Sequence, residues 1–172
     1  MWGENSLECV LNGCKCGYYG HPPKECRCTA WEIRKYLSSV SGPLLDRIDL
    51  HIEMPALEYK ELTGQGQGES SREIRRRVNQ ARKIQEDRYQ GSGVFCNAYL
   101  ETRQLKKHCA LDDDSSKLIE MAINNLGLSA RAYDCILKVA RTIADLDGEK
   151  EIRSNHVAEA IQYRSLDREY WR

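Results

Sequence analysis

The helical pattern in the second half of the chain does most to limit what the chain can fold into. From Ser129 to Gly148, apolar residues recur at the spacing of one helix face. A serine stands where this helix would be capped, and a glycine stands where it would end. Further helix starts are predicted at the Ser70–Glu73 capping box, at Thr102, at the acidic residues 112–114 and at Ser154.

These helices are predicted to bury one face each, which makes the chain mainly α with a small helical bundle in its second half. The short helix is expected over residues 102–108, and a Gly-rich turn at residues 91–93 is expected to end the helix before it. The side chains expected to face inward are Ile74, Val78 and Ala81; Leu118, Ala122 and Leu126; Ala132, Tyr133, Ile136, Leu137, Ala140, Ile143 and Ala144; and Val157, Ala160 and Ile161.

The first half carries fewer signals. A capping box from Thr29 to Glu32 predicts a helix that the Ser-Gly-Pro stretch at residues 41–43 would stop. The helix would bury one apolar face made of Ile33, Tyr36, Leu37 and Val40. Short strands are expected at residues 7–11 and 49–54, where the second segment alternates apolar and polar residues.

A Gly-rich stretch, Thr63–Ser71, is the best candidate for a domain boundary. It divides the chain into residues 1–62, which hold the predicted strands, and residues 63–172, which hold the predicted bundle. The sequence contains no internal repeat and no long low-complexity segment.

The charge balance argues against a partner attracted to the chain as a whole. Lys and Arg number 26, as do Asp and Glu, so any nucleic acid or membrane surface would have to bind a local patch. No apolar run approaches the roughly 18 residues of a membrane helix. The first ten residues also lack the features of a signal peptide. We therefore expect a cytoplasmic protein without a membrane partner, in a reducing compartment where clustered cysteines favour metal binding.

Four of the eight cysteines lie in one loop, in the pattern C-x-C-x9-C-x-C. They are Cys14, Cys16, Cys26 and Cys28. Four thiolates form a complete ligand set for tetrahedral zinc, and they leave no open position for catalysis. His21 can replace one thiolate; the alternatives are four free cysteines or thiols that oxidise during handling. The remaining cysteines, Cys9, Cys96, Cys109 and Cys135, are interpreted as packing or incidental residues.

Two arginines stand out by their local sequence. Arg47 lies between Asp46 and Asp49, and on spacing alone a solvated cluster of charges is the favoured interpretation. Arg131 lies in the first turn of the helix that Ser129 caps, where free N–H groups and partial positive charge favour anions. An exposed arginine is common at such a position, so the local pattern leaves both interpretations open.

The helix over residues 72–88 is strongly basic, with seven Lys or Arg against three acidic residues. Contact with a DNA backbone is one interpretation, for which Arg75, Arg76 and Arg82 are the candidates. The other interpretation is a solvated helix face, since no aromatic residues accompany the charges.

Several strings occur together in a recognisable order. Asn12 precedes a C-x-C-G-Y-Y-G loop, E-C-R-C follows, and then come "SGPLLDRIDLHIE" at 41–53, "LSARAYD" at 128–134 and "HVAEAIQYR" at 156–164. In this order they resemble the C-terminal part of the magnesium-chelatase-like AAA+ ATPases of the ComM/YifB type. The resemblance runs from about Leu7 to Arg168.

The resemblance implies a role for three residues. Asn12 would match the sensor 1 residue, which polarises the water near the ATP γ-phosphate. Arg47 would match the arginine finger, which acts in trans on ATP held by a neighbouring subunit. Arg131 would match the sensor 2 arginine, which touches the phosphates in cis. Residues 1–62 would be the end of an AAA+ core with a zinc loop, and residues 63–172 would be its helical lid.

Some features depart from that family's pattern. The P-loop motif G-x-x-x-x-G-K-[ST] does not occur in this sequence, and no acidic Walker B strand precedes Asn12. The chain is therefore expected to begin inside an ATPase core and, alone, neither to bind ATP and Mg²⁺ tightly nor to hydrolyse ATP. Gly13 and Lys15 stand where the family commonly has prolines, and Cys135 stands where an arginine is usual.

The first interpretation is thus a segment of an ATPase whose parent forms a hexameric ring and remodels DNA by branch migration during recombination. A stand-alone, zinc-stabilised module that binds nucleic acid or protein is the alternative from another class. A magnesium-chelatase subunit with a porphyrin-metallating partner is the third, and the string "SGPLLDRIDLHIE" suits the ComM branch better.

Overall fold

The computed structural model describes residues 8–20, 24–55 and 68–164. These residues fall into two compact units, one before and one after residues 56–67. Within the described ranges no helix is long and apolar enough to cross a bilayer. The helices are α1 (Ala30–Leu37), α2 (Gly42–Leu45), α3 (Ser71–Tyr89), α4 (Thr102–His108), α5 (Asp113–Leu126), α6 (Ala130–Leu146) and α7 (Ser154–Gln162), with a 3₁₀ turn at Asn97–Tyr99.

The first unit holds the cysteine loop and α1 and α2. The predicted capping box is confirmed: the Thr29 hydroxyl accepts from the Glu32 amide at 3.2 Å, and the Glu32 carboxylate accepts from the Thr29 amide at 2.9 Å. Leu37 is buried on the predicted apolar face. Ser41 was expected only to help end α1. Its side chain also caps a further short helix, α2, which has Pro43 in its first turn.

The two predicted strands are absent from the described residues. Residues 8–11 and 49–55 have no regular secondary structure, and Leu7 lies outside the described ranges. The apolar side chains of Val10, Ile52 and Met54 are mostly exposed. A strand is stable when a neighbour takes its backbone hydrogen bonds and one of its faces packs, and no neighbouring strand exists in the described part of this unit. The expectation of a mainly α chain is confirmed there.

The second unit is a helical bundle built around α6. This helix packs against α7, α3, α4 and the 3₁₀ turn, and α5 packs on α7. Its buried face carries the predicted inward residues, including Ile136, Ala140 and Ala144, which are fully buried. They join one apolar core with Tyr89, Leu100, Leu105, Cys109, Ile119, Ile152 and Val157.

The predicted helix starts of the second unit are confirmed by their caps. The Ser70 hydroxyl accepts from the Glu73 amide, Asp112 Oδ1 accepts from the Ser115 amide at 2.8 Å, and the Ser129 hydroxyl accepts from the Ala132 amide at 3.1 Å. Each side chain takes a backbone N–H that the first helical turn cannot satisfy. The predicted short helix over residues 102–108 forms at those bounds.

Three residues predicted to face inward do not. Ile74 and Val78 are 44% and 43% exposed, and Tyr133 is 37% exposed. Along α3 the first buried residue is Ala81, so the helix begins to pack only in its third turn. Apolar spacing identifies the apolar side of a helix, but it does not say how much of that side a neighbour covers.

Candidate metal centre and phosphate-contact residues

The structure brings the four cysteines of the loop together. The sulfur atoms of Cys14, Cys16, Cys26 and Cys28 all lie within 4.8 Å of one another. Cys14 Sγ lies 3.2 Å from Cys16 Sγ and 3.6 Å from Cys26 Sγ. A disulfide needs sulfurs about 2.05 Å apart, so these thiols are free. The four cysteines can hold a metal ion.

The spacing and the donor set fit zinc. With Zn–S bonds of about 2.3 Å, the sulfurs of a tetrahedral site lie about 3.8 Å apart. The separations of 3.2 and 3.6 Å lie slightly below that value, and all four sulfurs lie within 4.8 Å of one another. Cys14 is buried, and the other three cysteines are partly buried. All four donors are soft thiols, which zinc accepts as a complete ligand set. His21, the alternative ligand, lies outside the described residues.

A reverse turn shapes the first cysteine pair. The Gly17 amide donates to the Cys14 carbonyl at 3.1 Å, and Gly17 has a φ of +80°, a left-handed conformation that favours glycine. Gly13 also has a steric role, because a Cβ there would lie 2.9 Å from Cδ1 of Tyr19. Lys15, between the two thiols, donates to Glu32 at 2.7 Å and so links the loop to α1.

The thiols share protons unevenly. Burial alone would raise the pKa of Cys14, but hydrogen bonds from Cys16, Cys26 and backbone amides outweigh it and lower the pKa to about 6. For Cys26, a backbone hydrogen bond from Cys28 acts to lower the pKa, yet burial and the neighbouring thiols raise it to about 12. Four sulfurs this close cannot all ionise without a compensating charge, and a divalent cation supplies one.

Asn12 and Arg47 both lie exposed in the first unit. Asn12 precedes the cysteine loop in irregular backbone rather than at the end of a strand. Arg47 lies in the turn after α2, where its amide donates to the Leu44 carbonyl at 3.1 Å. None of the ion pairs found in the described ranges includes Arg47. The interpretation of Arg47 as part of a solvated cluster of charges therefore stays a prediction, and its exposure is compatible with it.

Arg131 lies exposed in the second unit, as the second residue of α6. The Ser129 cap fixes the start of this helix, so Arg131 stands in its first turn as predicted. Two residues of the same stretch, Ala132 and Cys135, are buried and hold the helix against the bundle. The guanidinium is thus presented to solvent from a fixed helix end.

Comparison with known families assigns both units. The family model "Magnesium chelatase, subunit ChlI C-terminal" matches residues 68–164, more than half of the chain, and "Magnesium chelatase, subunit ChlI" matches residues 4–62. The chain belongs to the magnesium chelatase ChlI-like family. Together the two matches cover nearly all of the stretch that carries the family-like strings, residues 7–168.

Curated relatives of this ChlI-like chain come from several bacteria. The competence protein ComM of Haemophilus influenzae is 46% identical over 143 residues, which cover 83% of this chain and 27% of the relative. The YifB protein of Escherichia coli is 38% identical over 146 residues, covering 83% and 28%. A Mycobacterium tuberculosis relative is 33% identical over 158 residues, covering 92% and 31%. The chain thus spans between a quarter and a third of these relatives.

The basic helix of the ChlI-like chain is α3, and its arginines divide into two groups. Arg75, Arg76 and Arg82, the predicted DNA contacts, are exposed. Arg88 is different: its guanidinium nitrogens donate to both carboxylate oxygens of the fully buried Asp145 in α6. Arg88, which the sequence placed in the basic stretch, therefore belongs to the core.

A buried polar network surrounds Asp145, and no pattern in the sequence led us to predict it. Arg141 Nε donates to Asp145 at 3.1 Å, and the other Arg141 nitrogens donate to the carbonyls of Lys150 and Glu149 at 2.7 Å each. Asn97 Nδ2 also donates to Asp145, at 2.9 Å. The available signal was the Arg141–Asp145 pair, four residues apart within the apolar face of α6, where exposed charges are not expected.

Proposed function

We propose that this chain is part of a ComM/YifB-type AAA+ ATPase whose parent protein couples ATP hydrolysis to DNA remodelling in the cytoplasm. The observation that carries this is the 46% identity to the competence protein ComM, over most of the chain. In this proposal the first unit is the end of the ATPase core, the second unit is the helical lid, and the subunits form a hexameric ring.

Arg47 is proposed as the arginine finger. It is exposed, and among the described residues it forms no ion pair that would have to break before it met a phosphate. A guanidinium presented this way can stabilise the charge that develops on the transferred phosphoryl group. Asn12 is proposed to orient the attacking water, and Arg131, at the fixed start of α6, is proposed to contact the phosphates from the same subunit.

The zinc site is proposed to be structural. The ion would be held by Cys14, Cys16, Cys26 and Cys28. It would cross-link the two ends of the loop, and with four protein ligands it would have no open coordination position for catalysis. The loop residues would then have a purely structural role, which is to hold the chain between Asn12 and α1 in place. ATP and Mg²⁺ would be bound only in the complete parent protein.

The test joins this chain to a segment that carries a P-loop and measures steady-state ATP hydrolysis. Arg47→Ala is expected to lower kcat at least 10³-fold with little change in KM, since the finger acts on the transition state. Arg34→Ala, an exposed arginine in α1, is the matched control and should retain activity. Full activity of Arg47→Ala would refute the assignment.

A mixing experiment tests the action in trans. Arg47→Ala subunits keep an intact P-loop, and subunits that lack the P-loop lysine keep Arg47. Mixed together they should regain activity, because one kind of subunit supplies each half of the site. Without the added segment, this chain should show no micromolar ATP binding by calorimetry. Such binding would contradict the proposal that the P-loop segment supplies most of the ATP-binding contacts.

A magnesium-chelatase subunit is the second candidate, favoured by the description of the matching family. The two functions differ in what stimulates ATP hydrolysis. Duplex or branched DNA should stimulate a DNA-remodelling enzyme, whereas a porphyrin and its partner subunits should stimulate a chelatase. Stimulation by porphyrin alone would favour the chelatase.

A further inference from the structure

One side of α3 carries an exposed row of nitrogen-bearing side chains. Arg72, Arg75, Arg76, Asn79, Gln80 and Lys83 line a shallow surface depression, which we call the basic face. Their spacing of three and four residues keeps them on one side of the helix. All six are exposed, and the apolar Ile74, Val78 and Ala81 lie on other sides of the helix. Arg82 is also exposed, but it does not line this depression.

The charges of the basic face are mostly uncompensated. Arg77, on another side of the helix, forms an ion pair with Glu69 at 2.6 Å, and Arg88 forms an ion pair with Asp145. In the ranges that the structure describes, no carboxylate pairs with Arg72, Arg75 or Arg76. Lys83 lies 3.0 Å from Asp87, but both side chains are about two-thirds exposed, and such a pair is weak enough to exchange partners.

We propose that the basic face of α3 binds the phosphate backbone of DNA. The inference rests on the proposed function for the identity of its partner, and it adds the surface that makes the contact. From Arg72 to Lys83 the helix rises about 16 Å, which is long enough for its side chains to reach more than one phosphate of the backbone. Arginine pairs with phosphate through two parallel N–H groups, and Asn79 and Gln80 supply further donors between the charges.

The composition of the basic face favours a nucleic acid over a lipid surface. A helix that lies in a membrane interface buries large apolar or aromatic side chains beside its basic ones. On α3 the exposed apolar side chains are only Ile74 and Val78, and neither lines the basic face. A row of exposed guanidinium groups without such anchors suits a linear polyanion whose charges are evenly spaced.

The experiment measures binding of the whole chain to a labelled 20-base-pair duplex by fluorescence anisotropy, across 50 to 200 mM salt. The variant combines Arg72→Gln, Arg75→Gln and Arg76→Gln. Because these residues are exposed and glutamine is a good helix former, the fold should be kept, as circular dichroism can verify. Affinity at 50 mM salt should fall at least tenfold, and the slope of log K against log salt should fall by about 2 to 3.

A charge-matched control combines Arg77→Gln, Arg103→Gln and Lys106→Gln, which removes three exposed positive charges of the second unit away from the basic face. It should bind nearly as wild type does. An equal loss in the control, no duplex binding by the wild type at 50 mM salt, or stronger binding to vesicles with 20% phosphatidylserine than to DNA would each overturn the proposal. Binding is measured without ATP, so its result is separate from that of the Arg47 test.

Discussion

Arg88 in α3 forms a two-point ion pair with Asp145 in α6, 57 residues later in the chain. The Asp145 side chain is fully buried and Arg88 is largely so. The pair raises the pKa of the Arg88 guanidinium, chiefly through its hydrogen bond to Asp145, so the arginine stays charged. Together with Arg141 and Asn97, this contact fixes where α3 meets the bundle.

Replacing Asp145 should therefore destabilise the second unit strongly. Asp145→Asn leaves two buried guanidinium groups without a counter-charge, and breaking such a pair costs about 3 kcal/mol or more. Urea unfolding followed by circular dichroism measures the loss. The matched control is Asp114→Asn, which removes an exposed carboxylate 3.6 Å from Lys117 and should cost under about 0.5 kcal/mol. Equal stabilities of the two variants would show that the network contributes little.

Zinc content tests the cysteine cluster. Reduced protein should carry one zinc per chain by mass spectrometry of the metal, and Cys14→Ser should lose it, because Cys14 is the buried member of the ligand set. Removing the ion with a chelator should expose residues 12–28 to proteolysis, while the helices of the second unit keep their stability. Cys9→Ser changes an exposed cysteine outside the cluster and should retain the metal. Metal-free wild-type protein under reducing conditions would contradict the site.

Gly13 should be needed for the geometry of that cluster. Gly13→Ala would place a methyl group 2.9 Å from Tyr19 Cδ1. Since the Tyr19 backbone hydrogen-bonds to the Cys14 sulfur, moving Tyr19 should weaken the site. We expect Gly13→Ala to release zinc to a chelator several-fold faster than wild type. The double variant Gly13→Ala, Tyr19→Ala should release zinc at a rate closer to that of wild type. Gly42→Ala is the control, since nothing lies within 4 Å of its added carbon. Unchanged release from Gly13→Ala would mean that the loop adjusts freely.

His108 should make the second unit less stable in mild acid. Burial, with Lys107 and two arginines nearby, lowers the pKa of His108 in the folded state. The unfolded chain then binds more protons, so stability is greatest above the ordinary pKa of about 6.5 and falls as pH drops below it, levelling off under the folded pKa. Urea midpoints at pH 7.5 and 5.5 measure the drop. His108→Phe keeps a ring against Tyr89 and should reduce the difference between the two midpoints; an unchanged difference would assign the effect to other groups.

The elements of the second unit were largely predictable because their signals are local. Ser70, Asp112 and Ser129 each cap a helix through a backbone group three residues ahead, so the sequence alone contains both partners. The cysteine cluster was predictable for a related reason, since few chemistries call for two C-x-C pairs within one short loop. The sequence also carried the family resemblance that the comparisons confirmed.

The predictions that were wrong concern features that depend on partners far away in the chain. The strand predicted at residues 49–54 has the right alternation, but a strand exists only through its neighbours, and the described residues supply none. The exposure of Ile74 and Val78 and the burial of Arg88 follow from where α3 leaves the bundle. Local sequence therefore determined the capped helices and the metal-binding pattern, because their interactions span a few residues. Only the tertiary structure decided which charges of α3 enter the core and which remain on the basic face, because that depends on packing against α6.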